Sequence, residues 1–192
     1  TNVIIEEADR LVNLVDRLTG PYKKPVIRAL NIHEVLERVR NLVEAETMGS
    51  IKIIRDYDPS LPEISGDLEQ LIQAVLNIVR NAMQALTENP HQQQPPQIIL
   101  RTRAVTHATV ASVTHKLVVR IEIIDNGPGI PAHIIENIFY PLISGRAEGT
   151  GLGLSIAQNI IKNHAGLIEC ESQPGRTRFM LSIPINAEGS NT

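Results

Sequence analysis

Three short stretches combine residue types that could hold a phosphorylated, ring-bearing ligand. In Asp125-Asn126-Gly127-Pro128-Gly129 a carboxylate ends an apolar run, sharing one strand face with Val119, Ile121 and Ile123. A carboxylate on a buried face needs a hydrogen-bond donor, because an unpaired buried charge is costly. The 6-amino group of an adenine would supply one, and Gly127 and Gly129 leave room for a flat ring beside the backbone. The same residues also suit an ordinary Asx turn. In Gly149-Thr150-Gly151-Leu152-Gly153, directly before a helical pattern, alternate glycines let backbone N–H groups approach an anion. The helix start adds partial positive charge. This stretch is neither a G-x-x-x-x-G-K-S/T loop nor a G-x-G-x-x-G fingerprint, and a flexible hinge would use the same residues. The third feature is the pair Asn77 and Asn81, one helical turn apart. Amide carbonyl oxygens suit Mg²⁺, a hard cation usually shared with phosphate oxygens. Neutral amides hold this face where Lys and Glu would be better helix formers. Together the three point to a nucleotide.

The elements that must position them follow from periodicity and capping. Asp67 is the N-cap of a long helix, with Gln70 at the capping-box position. Leu68, Leu71, Ile72, Val75, Leu76, Val79, Met83 and Leu86 make its apolar face, opposite Gln73, Asn77, Asn81 and Gln84. A shorter helix starts at Asn31, with Glu34 as box partner, and Gly49 stops it near Met48. His33 in its first turn reads as solvated, since H-E-x-x-H would need a second His four residues on. Ile51 to Arg55 is a short strand. Ile98 to Val105 and Lys116 to Ile124 are long strands, joined by a Thr/Ala/His-rich connection. Gly151 to His164 is a helix with Gly166 at its C′ position. Leu167 to Glu171 and Arg178 to Ile183 form a hairpin around Pro174-Gly175. Ile4, Ala8, Leu11, Val15 and Leu18 repeat at coiled-coil spacing, over too short a stretch to stand alone, so this helix expects a partner helix, the alternative being an ordinary amphipathic helix folded onto its own domain. Gly20-Pro21 ends it, and residues 21–30 read as a linker.

Composition excludes several classes. The chain has 192 residues, one ordinary domain with a short appendage. Lys and Arg number 18 against 21 Asp and Glu, which argues against a phosphate-tracking nucleic-acid surface. A single cysteine, Cys170, rules out a disulfide framework and fits a reduced, cytoplasmic setting. No apolar run approaches the roughly 20 residues that span a bilayer. Trp is absent and aromatics are 3%, so the core must be aliphatic. The start, Thr1-Asn2-Val3, reads as a cut inside a longer protein.

In order and spacing the chain resembles the ATP-binding domain of sensor histidine kinases, the group that includes gyrase, Hsp90-type chaperones and MutL. Leu76-Asn77-Ile78-Val79-Arg80-Asn81-Ala82 is similar to the N box, Asp125-x-Gly127-x-Gly129 to the G1 box and Phe139 to the F box. Gly149-Thr150-Gly151-Leu152-Gly153-Leu154 is similar to the G2 box. Gly175-Arg176-Thr177-Arg178-Phe179 is similar to the last nucleotide-site strand. The resemblance implies the α+β class: a two-layer α/β sandwich of the Bergerat type, a mixed sheet with helices on one face, plus an N-terminal remnant helix. Residues 1–20 would be the end of the second helix of a dimerisation hairpin, and 31–186 the catalytic domain. Residues 130–148 would be the lid over ATP, and 187–192 a disordered tail. ATP and Mg²⁺ are implied as ligands. Asp125 would read adenine beside Gly127, Gly129, Ile130 and Thr177. Asn81 would coordinate Mg²⁺, with Asn77 supporting it. Gly149, Thr150, Gly151, Leu152, Gly153 and Leu154 would bring backbone donors to the phosphates, and Arg146 is a candidate cation for the outer ones.

Within the group, Arg55-Asp56-Tyr57-Asp58-Pro59-Ser60-Leu61-Pro62-Glu63, the N-box residues, Phe139-Tyr140-Pro141 and Ser144-Gly145-Arg146 are similar to nitrogen-regulation sensor kinases. The partners this implies are the response regulator NtrC and the PII signal protein. Group members that hydrolyse ATP with water carry a Glu one helical turn before the metal-binding Asn. Asn77 stands there, and an amide cannot take a proton at neutral pH. Transfer to another group is therefore expected, the acceptor being a histidine on a separate helical hairpin. Gln84 and Ala85 stand where many kinases have a cation and an aromatic ring. The acceptor motif is absent around all six histidines, so the chain is expected to bind ATP without labelling itself. Two other readings stay open: a slow gyrase- or MutL-like ATPase, and a nucleotide-gated binding module for PII.

Overall fold

The computed structural model describes residues 25–88, 94–142 and 151–185. The element order is β1 (Arg28–Leu30), α1 (Ile32–Thr47), β2 (Lys52–Asp56), β3 (Ile64–Gly66), α2 (Leu68–Thr87), β4 (Gln97–Val110), β5 (Val113–Asp125), α3 (Ala132–Ile135), α4 (Gly153–Asn163), β6 (Leu167–Gln173) and β7 (Arg176–Pro184). Five strands form one mixed sheet in the order β2-β4-β5-β7-β6. Among the described residues only the β2–β4 pairing of this sheet is parallel. β1 and β3 pair antiparallel in a separate two-stranded sheet.

Both long helices start where the capping residues put them. The Asn31 side chain accepts from the His33 N–H at 2.9 Å, and Asp67 accepts from the Gln70 N–H at 3.0 Å. Neither cap closes into the reciprocal box. Glu34 turns instead to Arg38 and Arg28, and the Gln70 side-chain oxygen is buried without a partner. Helix α1 ends at Met48, which is left-handed at φ 47, followed by Gly49 at φ 78. Helix α2 is the centre of the helical layer, packing against both α1 and α4 and reaching β4 and β5. It is therefore buried on more than the one stripe its apolar period marks. Ala74, Ile78 and Ala82 join Leu71, Val75 and Val79 in the core, while Leu76 and Met83 are only partly buried.

The opposing inner face of the sheet supplies Ile98, Leu100, Val119, Ile121, Ile123, Phe179, Leu181 and Ile183. Full burial of each such aliphatic side chain contributes about 1.5–3 kcal/mol, so a core without Trp still suffices. The outer face is different. Asp56, Arg101, Glu122, Arg178 and Glu171 come from β2, β4, β5, β7 and β6 in turn, and each is ion-paired with the next, from 2.6 Å at Asp56–Arg101 to 3.7 Å at Arg178–Glu171. Glu122, at 7% exposure, is a buried acid held between two guanidinium groups.

Several expectations change. Residues 28–30, placed in a linker, form β1, whose three residues are too few to show a period. The Thr/Ala/His connection is itself strand. β4 and β5 run to a two-residue turn at Ala111-Ser112, both at positive φ, in positions where Asn-Gly is the usual signal. The left-handed residue after α4 is Ala165, not Gly166. Gly166 is needed for space: a Cβ there would lie 2.7 Å from the Ser182 carbonyl oxygen and 2.8 Å from Ile161. His33 is not merely solvated, since it stacks on Tyr57 and bonds Thr102 at 2.9 Å. The coiled-coil seam of residues 4–18 and the tail after 186 lie outside the described residues.

Ile121→Ala, emptying a fully buried central position, should lower unfolding free energy by about 3 kcal/mol in urea titration. Burial alone would raise the Asp67 carboxyl, but N–H bonds from Gln70, Val26 and Glu69 outweigh it and hold it below the usual carboxylate range. Its stabilising contribution is thus present above the ordinary carboxyl range and lost as pH falls through the depressed value. Asp67→Asn keeps the cap, and should flatten the fall in urea midpoint below about pH 4.

Candidate functional site

The inner face of the sheet ends in a row whose character changes halfway. Ile53, Ile98, Asp125, Thr177 and Ser172 are register neighbours across β2, β4, β5, β7 and β6. The first two are apolar and the last three polar. Asp125 is 4% exposed and Thr177 5%. One carboxylate oxygen, Oδ1 of Asp125, accepts the Gly127 N–H at 2.9 Å. Cys170 lies one row inward on the same face of β6, half-buried.

The loop after β5 is tied to the β6–β7 hairpin. The Gly175 N–H donates to the Gly127 carbonyl at 2.9 Å, and the Ile130 N–H donates to Ser172 Oγ at 2.8 Å. Gly129 is left-handed at φ 87, and a Cβ there would lie 2.8 Å from the Gln173 carbonyl oxygen. Both constraints demand glycine. The far side of this loop faces helix α2: a Cβ on Gly127 would lie 3.6 Å from Ala85 and from Leu86.

Helix α2 links this end to the second glycine stretch. Asn77, Asn81 and Ala85 recur every four residues along one face, about 12 Å from first to last at helical rise. Ala85 meets Gly127 at one end. At the other the Asn77 amide NH₂ donates to the Gly153 carbonyl at 3.1 Å, and a Cβ on Gly153 would lie 3.8 Å from Asn77. Asn81 lies between, partly exposed. Gly151 is left-handed at φ 64, its carbonyl accepts the Leu142 N–H, and Leu152 is buried while Leu154 is partly so. Helix α4 is pinned at its other end as well. The Asp67 N–H donates to His164 Nε2 at 2.9 Å, which leaves the ring proton on Nδ1 to donate to the Ile160 carbonyl at 2.7 Å.

Asp125, Gly127, Gly129, Ile130 and Thr177 thus meet at one end of the α2 face, and Gly151, Leu152, Gly153 and Leu154 at the other. Gly149, Thr150 and Arg146 lie outside the described residues. Phe139 packs edge-on against Phe179, anchoring the chain after α3 to the sheet. Ser172 was not singled out from sequence. Ser172 carries no motif of its own, and Ala85 was visible only as the absence of a ring. A hollow of about 270 Å³ on the β6–β7 edge, lined by Glu171, Ser172, Gln173, Arg176 and Arg178, touches this site only through Ser172 and Gln173.

The donor set fits a magnesium nucleotide. The Asn77 NH₂ is spent on Gly153, so its carbonyl oxygen remains, and Asn81 offers another one turn away, both neutral hard donors. A Glu at position 77 would instead face the Gly153 carbonyl with a second acceptor.

Residues 66–187 match the family described as histidine kinase-, DNA gyrase B-, and HSP90-like ATPase, and the chain belongs to it. Across 96% of its length it is 53% identical to the sensory histidine kinase/phosphatase NtrB of Vibrio alginolyticus, covering 52% of that protein. It is 38% identical to NtrB of Rhizobium leguminosarum bv. phaseoli over 99% of this chain and 50% of that one. The chain therefore spans about half the length of these relatives. Among solved structures, the nucleotide-free catalytic domain of histidine kinase ThkA superposes with TM-score 0.67 at 26% identity, covering 82% of this chain and 95% of that one. ThkA in complex with response regulator protein TrrA gives TM-score 0.70 at 25% identity, covering 98% of this chain and 51% of ThkA. The two-layer α/β architecture is the one expected for this family.

Burial, then the Asp125 and Glu171 charges, pushes the Cys170 thiol up to about 12. At pH 8 it should react slowly with Ellman's reagent in the folded chain and fast in urea, read by absorbance.

Proposed function

We propose that this chain is the ATP-binding catalytic domain of a nitrogen-regulation sensor histidine kinase. It donates the γ-phosphoryl group of ATP to a histidine on a separate helical hairpin, for relay to NtrC. The observation that carries this reading is the α2 face, where Asn77, Asn81 and Ala85 run from the Gly153 turn to the Gly127 loop. That run suits an extended nucleotide, with its base at Asp125 and its phosphates at the start of α4. The identity to NtrB supports the nitrogen-regulation assignment.

Each residue has a distinct task. Asp125 accepts from the adenine 6-amino group. Gly127, Gly129, Ile130 and Thr177 complete the base end. Asn81 holds Mg²⁺, and Asn77 supports it. Gly149, Thr150, Gly151, Leu152, Gly153 and Leu154 direct backbone donors to the phosphates, and Arg146 is the candidate cation over the outer ones. Magnesium, when bound, neutralises charge building on the transferred group. Asn77 cannot act as a base toward water, and its NH₂ already serves Gly153. Neutral imidazole is a nucleophile already, so positioning and charge neutralisation suffice.

The catalytic domain begins at β1, since Arg28–Leu30 pairs with β3, and runs on through β7; the hairpin-helix end expected at residues 1–20 and the tail at 187–192 lie outside the described residues. The hairpin, NtrC and PII are its partners, as TrrA is for ThkA. The setting is the cytoplasm; among the described residues no helix is long and apolar enough to cross a membrane.

Mixing the chain with radiolabelled Mg-ATP and a separately made acceptor hairpin should label the hairpin and leave the chain unlabelled. Asn81→Ala should slow transfer by at least about tenfold, and EDTA should both stop it and weaken ATP binding in calorimetry. Steady phosphate release with no labelled hairpin would show an ATPase instead. Unaltered ATP affinity in Asn81→Ala, without transfer but with PII still bound, would show a binding module.

A further inference from the structure

We infer that Ser172 is a positioning residue that fixes the direction of hydrogen bonding at the base end, and with it the preference for adenine over guanine. This rests on the nucleotide-binding reading above. Ser172 is the outermost member of the polar row, next to Thr177, which is next to Asp125. Its hydroxyl oxygen accepts the Ile130 N–H at 2.8 Å. A backbone N–H can only donate, so one Ser172 lone pair is committed. Ser172 Oγ and Thr177 Oγ1 are 3.1 Å apart, and either hydroxyl could donate to the other.

The surroundings choose between the two directions. A hydroxyl has one proton and two lone pairs. If Thr177 donated to Ser172, both Ser172 lone pairs would be spent and its own proton would need another acceptor. Thr177 would also turn only lone pairs toward Asp125, a buried carboxylate that is itself an acceptor. If Ser172 donates to Thr177, the Ser172 proton has an acceptor and one Ser172 lone pair suffices for Ile130. Thr177 then keeps its own proton for the space it shares with Asp125, whether for the carboxylate or for an acceptor atom of a base seated there. Buried polar groups favour the arrangement that satisfies them all.

The row consequently presents an acceptor, Asp125, beside a donor, Thr177. The edge of adenine offers the complement: a 6-amino donor beside the N1 acceptor. Guanine offers the reverse, an O6 acceptor beside an N1–H donor. Ser172 touches neither base; it acts by deciding which way Thr177 points.

Calorimetric dissociation constants for Mg-ATP and Mg-GTP test this on the native chain, Ser172→Ala and Ser172→Thr, with urea midpoints measured alongside. The ATP-to-GTP preference should narrow by about fivefold to tenfold in Ser172→Ala and be retained in Ser172→Thr, which keeps the hydroxyl. An unchanged preference in folded Ser172→Ala, or equal loss of both nucleotides, would overturn the inference while leaving the nucleotide reading intact. On the native chain alone, 1-deaza-ATP, with C–H in place of N1, should bind about tenfold more weakly than ATP. Equal binding would overturn the inference even if no variant folded. A native chain that binds no ATP would sink the nucleotide reading, and this inference with it.

Discussion

A carboxylate at the end of β5 faces the helices rather than water, and the rest of the site is arranged around that fact. Asp125 is 4% exposed, so its oxygens must be given donors. One is satisfied at once by the Gly127 N–H, which bends the chain back beneath helix α2. That bend needs residues without side chains, and it needs the β6–β7 hairpin to hold it. The Gly175 N–H and the Ser172 hydroxyl do so. The same buried charge that is costly to fold around sets the course of the loop that follows it.

Helix α2 carries that local constraint to the other end of the site. One helix face touches both glycine stretches, so their separation is set by helical rise and not by loop conformation. Helix α4 lies antiparallel beside it and is fastened at both ends, by Asn77 at Gly153 and by His164 at Asp67. Two rigid elements joined by a hydrogen bond at each end suit a site that must hold groups in fixed relation.

Much of this was legible in the sequence, and the exceptions have physical causes. The caps at Asn31 and Asp67, the apolar period of α2 and the glycine stretches are local signals, so helix starts and the glycine-bearing loops could be read directly. β1 and β3 could not, because three-residue strands show no period and owe their existence to each other across the chain. The tip of the β4–β5 ribbon was hidden because Ala111 and Ser112 are not turn formers. Burial of Ile78 follows from α2 lying between two other helices, which its own period cannot show. At the site, Asn77, Asp125 and the glycines carried chemistry in their types. Ser172 is an ordinary hydroxyl, and only its register beside Thr177 gives it a part.

The alternating charges across the outer side of the sheet bear on what can approach it. Every acid in that file already has a basic neighbour, and the innermost acid has two. An incoming protein that sought to pair with Asp56, Glu122 or Arg178 would have to break an existing partnership before making its own. Exposed pairs of this kind are weak individually, yet the alternation leaves this file without a dominant sign. A partner drawn by a stripe of one charge would find none along this row of side chains.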